Sequence, residues 1–137
     1  MQKPKSWAVL TVAGNFRPDE FSRDLGISPD FFEETNSKSG TTGFWQIHSK
    51  LSADHALEEH LWEILKRLAP VRLIFKKMII GIECTIYASV EFSDESTRGI
   101  DFSPRILSIL GNLGIRFELN PWLNKSNQGQ AGLMGTN

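Results

Sequence analysis

The chain reads as an α+β domain: a mostly antiparallel, four-stranded sheet with helices packed on one face, ferredoxin-like in style, in the order βαβ, helix, βαβ. Three patterns lead there. Ile80, Ile82, Cys84, Ile86, Ala88, Val90 and Phe92 alternate with Gly81, Glu83, Thr85, Tyr87, Ser89 and Glu91, a two-residue period that requires a strand with one apolar and one wet face. Leu57, Leu61, Ile64, Leu65 and Leu68 recur at helical spacing. Ile115, Phe117 and Leu119 alternate with Arg116, Glu118 and Asn120, so the last strand is one-sided too. One-sided strands belong to a sheet that packs helices on one face and leaves the other open.

Taken in order, Trp7 to Ala13 is a short apolar run rich in β-branched and aromatic residues, stopped by Gly14 and Asn15. Its apolar residues occur at both parities, so it belongs in the middle of the sheet. Pro18, with Asp19 and Glu20 beside it, opens a short helix ending at Leu25 before Gly26. Ser28 to Thr42 reads as a long loop, with Phe31 to Glu34 as one helical turn inside it. Gly43 to Ser49 is the second strand; Trp45 and Ile47 share one face, and Phe44, Gln46 and His48 the other. The main helix starts from Ser52 as N-cap and runs to Ala69 and Pro70.

Val71 to Met78 fits either a short helix begun after Pro70 or an extension of the strand system; Lys76 and Lys77 favour the helix, whose C-terminal dipole they complement. The long strand covers Ile80 to Phe92, with a bend expected at Gly81. Ser93 to Gly99 is polar and reads as a loop. Ser103 and Pro104 then cap and open a helix with Ile106, Leu107, Leu110 and Leu113 on its buried face, closed by Gly114. From Leu123 onward no pattern survives, which divides the chain into a single domain over 1–122 and a disordered tail over 123–137. Phe16-Arg-Pro18 leading to Leu25-Gly-Ile27 echoes Phe102-Ser-Pro104 leading to Leu113-Gly-Ile115, hinting at two βαβ-like halves.

Composition narrows the function classes. A formal charge of -1, with Lys and Arg scattered among acids, argues against nucleic acid as a partner, because neutralising phosphates needs a local excess of cations. No run approaches the length of a membrane span, and the first residues lack the apolar core of a secretory signal, so a cytoplasmic protein is expected. The single cysteine, Cys84, excludes an internal disulfide, and its place on the apolar side of the long strand makes it a core residue.

Phe16-Arg-Pro-Asp-Glu-Phe-Ser-Arg-Asp-Leu-Gly-Ile-Ser-Pro29, Gly43-Phe-Trp-Gln-Ile47, Leu57-Glu-Glu-His-Leu61 and Gly99-Ile-Asp-Phe-Ser-Pro104 through Leu113-Gly-Ile115 give the chain a resemblance to the bacterial family catalogued as domain of unknown function 4279. The resemblance covers about residues 7 to 122. It implies a small soluble bacterial domain with no established activity, and therefore hands over no catalytic residue.

No nucleophile elbow, phosphate-binding glycine loop or dinucleotide fingerprint occurs, and no cofactor is implied. His55 and His60, five apart, point to different sides of a helix; the alternative reading, a small hydrolase or metal-dependent enzyme, would use His48, His55 and Glu59. The favoured reading is a non-enzymatic protein-binding module, of immunity or regulatory type, using the wet sheet face: Glu83, Tyr87, Glu91, Arg116 and Glu118, with Trp45 or His48 from the second strand. Trp62 lies opposite the leucine stripe of the main helix; either it is covered by neighbouring chain or it contacts a partner. A homodimer pairing through strand edges or sheet faces is the third reading.

Overall fold

A computed structural model describes residues 4–93 and 100–124. Its elements run β1 (Lys5–Gly14), α1 (Pro18–Leu25), β2 (Phe31–Ser37), β3 (Gly40–His48), α2 (Leu57–Leu68), a 3-10 turn (Ala69–Val71), α3 (Arg72–Met78), β4 (Glu83–Ser93), α4 (Pro104–Leu113) and β5 (Arg116–Asn124). The proline-opened helices start where the sequence places them. At α4 the Ser103 hydroxyl accepts the Ile106 N–H at 3.2 Å, satisfying one of the donors that a helix start leaves unpaired.

The strands form one sheet in the order β2-β3-β1-β4-β5. β1 is antiparallel to β3 and β4, and β2 to β3, whereas β4 and β5 are parallel. With β3 between β1 and β2, and β1 between β3 and β4, the first four strands follow the split βαβ order of ferredoxin-like sheets. α4 and β5 extend that sheet by one parallel strand. The echo between the halves has a structural counterpart: Gly26 and Gly114 end α1 and α4 in the left-handed region, at φ 72° and 78°.

The sheet therefore has five strands and is mixed, not four-stranded. The additional strand is β2, inside the stretch expected to be a loop, and Phe31 to Glu34 is extended, not a helical turn. All seven residues of β2 are exposed, so neither face imposes an alternation that a sequence could show. β4 begins at Glu83, later than expected, because Gly81 takes φ 77° and turns the chain after α3, leaving Ile80 exposed. α2 begins at Leu57: Ala56 is extended, and its N–H is taken by the Glu59 carboxylate at 2.9 Å, the reciprocal half of a capping box. β5 continues through Pro121 to Asn124 and β4 to Ser93, so Leu123 and Asn124 of the expected tail and Ser93 of the expected loop are strand; the rest of both, 125–137 and 94–99, lies outside the described residues.

The core is one cluster. Leu10, Val12, Trp45, Ile47 and Ile86 from the sheet meet Leu61, Ile64, Leu68, Phe75 and Ile106 from the helices, all fully buried. Each such side chain contributes about 1.5–3 kcal/mol by leaving water. Cys84 belongs to the same cluster, and burial pushes its thiol up to about 12, so it holds no thiolate for chemistry at neutral pH. Because the inward residues of β1, β3 and β4 all join this helix-covered cluster, their alternate residues are left on the other side of the sheet.

Candidate functional site: the open sheet face

Strand register fixes what that other side presents. One row crosses the sheet as Phe31, Gln46, Thr11, Thr85 and Arg116, and the next as His48, Val9, Tyr87 and Glu118. Beyond them, Trp7, Ser89 and Asn120 form a third row, and Lys5, Glu91 and Trp122 a fourth. Neighbouring strands stand about 4.8 Å apart and diagonal neighbours about 7–8 Å. Ser89 is thus a small floor position, with Tyr87 and Glu91 along its own strand, Trp7 and Asn120 across, and Trp122 on the diagonal. Trp7, Tyr87 and Trp122 are 40%, 36% and 49% exposed.

Part of the face is closed by its own side chains. Gln46 donates to the Thr11 hydroxyl at 3.1 Å and lies 2.8 Å from His48 Nε2, and Thr11 and Thr85 are buried beneath such neighbours. Phe31 and Phe44 meet edge to face at 5.7 Å. Arg116 approaches Glu83 at 3.4 Å with both side chains mostly in water, a pair worth little to stability. Asn120 reaches Glu118 at 3.5 Å.

The sequence profile of a family described as a domain of unknown function, DUF4279, matches residues 4–124, a span that contains every described residue and the five strands that make this face. The chain belongs to the DUF4279 family. No curated protein and no solved structure matches it.

Of the eight surface residues expected from sequence, six share the open face of this DUF4279 domain: His48, Glu83, Tyr87, Glu91, Arg116 and Glu118. Two do not. Trp45 points the other way and is fully buried, its Nε1 donating to Ser22 Oγ at 2.8 Å and its ring meeting Phe21 at 4.8 Å. Trp62 is half-buried and packs against the core from α2. Its Nε1 donates to Glu58 at 3.2 Å, and the Arg105 guanidinium stands 5.3 Å from its ring. Glu58 ties α2 to the start of α4: the Ser103 N–H donates to it at 2.8 Å, and chiefly this bond holds its carboxyl below the usual range.

His48, His55 and Glu59 are not assembled into a metal centre. His48 is engaged with Gln46 on the open face, Glu59 with the Ala56 N–H, and His55 with Ser52. Among the described residues no group of three or more His, Cys, Asp or Glu side chains is placed to hold a metal.

His60 belongs to the core side of α2. It is buried three residues after Leu57 and four before Ile64, which places it on the leucine stripe, a signal present in the sequence. Its Nδ1 lies 2.6 Å from Ser49 Oγ, which also receives the Leu51 N–H at 3.3 Å. The direction of the hydrogen bond between Nδ1 and the Ser49 hydroxyl is set by the ring's tautomer. Nε2 has no hydrogen-bond partner among the described residues. His55, whose ring is 6.3 Å away, is not on α2, so helical spacing did not govern the pair.

Burial is the main cause that lowers the His60 pKa from 6.5, with His55 adding to it and Glu59 and Glu63 opposing it. The folded chain thus resists protonation more than the unfolded one. Stability is full above 6.5 and should fall as pH drops below that value toward the lower folded pKa. Thermal melts from neutral to acid pH should show this loss, and His60→Gln should flatten it; an unchanged slope in the variant would assign the effect to other groups.

Proposed function

We propose that this domain is a binding module whose open sheet face receives a positively charged segment of a partner protein. One observation carries the reading. Among the described residues, the open face combines four exposed aromatics, Trp7, Phe31, Tyr87 and Trp122, with four carboxylates, Glu33, Glu83, Glu91 and Glu118, against two cations, Lys5 and Arg116. Aromatic rings supply contact area at low entropic cost and attract cations to their faces, by about 0.5–1 kcal/mol at exposed sites. The acidic excess selects the sign of the partner and makes binding weaken with salt.

Titration of the labelled protein with a lysine-rich peptide tests this. Amide shifts should gather at Tyr87, Ser89, Glu118 and Asn120, shrink at high ionic strength and disappear in a Tyr87→Ala, Glu118→Ala variant. Shifts confined to the helix side, or an equal response to a glutamate-rich peptide, would remove the proposal.

A further inference from the structure

The two edges of the sheet are chemically unlike. β5 has Pro121 near its middle, a residue with no N–H to offer a further strand. β2, at the opposite edge, pairs with β3 along its whole length, from Phe31 to Ser37, and contains neither proline nor lysine. Every one of its residues is exposed. Its outward backbone groups thus form a template for another strand, without the proline or lysine that natural edges often use as a block.

The side chains of β2 restrict which strand that is. Phe31, 49% exposed, lies on the open face and Phe32, 60% exposed, on the helix side, so an added strand would find an aromatic on each face. Glu33 and Glu34 follow, again one per face. Opposed residues share a face, so a two-fold antiparallel pairing of β2 with a second copy centred on Glu34, the middle of the strand, sets Glu34 opposite Glu34, and one centred on Glu33 sets Glu33 opposite Glu33. Like charges directly opposed in a sheet destabilise it, by roughly 0.2–1 kcal/mol per pair. The same two carboxylates favour a strand bearing Lys or Arg opposite them. Arg17 already stands 3.8 Å from Glu34, so Glu33 carries more of this selection.

We propose that β2 is a strand-addition site for an extended basic segment of a partner protein, with Glu33 and Glu34 discouraging self-pairing. This goes beyond the sheet-face reading and stands without it.

The probe is a short peptide alternating lysine and valine, read by amide hydrogen exchange and light scattering. It should slow exchange across Phe31 to Ser37 by about tenfold or more, and should do so equally in Tyr87→Ala, which separates this site from the sheet face. A peptide of the same sequence with alternate backbone amides methylated should give no protection, and neither should a glutamate–valine peptide. The native chain should scatter as a monomer, and Glu33→Thr with Glu34→Thr should self-associate. The proposal is overturned by protection falling on β5 instead, by equal binding of the methylated peptide, by a native dimer paired through β2, or by a double variant that stays monomeric.

Discussion

Trp45→Ala should lose about 3–5 kcal/mol of stability, a large share of the roughly 5–15 kcal/mol that holds a domain folded. Trp45 is fully buried against Phe21 of α1 and donates its indole N–H to Ser22 on the same helix. Truncation removes the transfer energy of the largest core side chain, leaves a cavity between β3 and α1, and deletes the hydrogen bond joining them. The comparison is Tyr87→Ala, whose ring is on the open face and should cost under about 1 kcal/mol. Urea denaturation of the two variants measures the difference. Similar losses would mean that the two faces of the sheet have been exchanged.

What the sequence revealed follows from which residues feel a two-sided environment. β4 and α2 each bury one face, so Ile86 and Val90, or Leu61 and Ile64, had to repeat at the period of their element. β2 buries neither face and is held by backbone pairing to β3, leaving Phe31 to Ser37 without a period. The candidate face was legible where charges alternated, at Glu83, Tyr87, Glu91, Arg116 and Glu118. Two of its other aromatics were hidden for separate reasons. Trp7 lies in β1, whose apolar residues occupy both parities because Val9 and Ala13 line the open face while Leu10 and Val12 enter the core. Trp122 lies beyond Pro121, which marks the end of a central strand but is tolerated at an edge, where β5 turns out to be. Trp45 and His48 have opposite parity on β3, and only pairing with β1 decides which of them faces the helices.

Gly43→Ala is the second variant with a large expected effect, and it acts through sterics alone. Gly43 is buried on the side of β3 that bears Trp45 and Ile47, and it is paired to Gly14 of β1 and Glu34 of β2. A methyl group there would overlap the Phe16 carbonyl oxygen and come within 3.2 Å of the Phe16 carbonyl carbon and ring. The obstruction is backbone, so no rotamer change relieves it. Either β3 leaves its register with two neighbours, or the Phe16 segment moves and takes α1 with it, because the Phe16 ring packs on Phe21 at 5.2 Å and Phe21 on Trp45. Overpacking of this kind costs about 3 kcal/mol. Gly111→Ala is the control: Gly111 is exposed within α4, a methyl group there meets nothing within 4 Å, and alanine should stabilise the helix by about 0.5–1 kcal/mol. Opposite shifts of the denaturation midpoint in the two variants would attribute the Gly43 loss to the Phe16 carbonyl; a loss in both would assign it to a general intolerance of added volume.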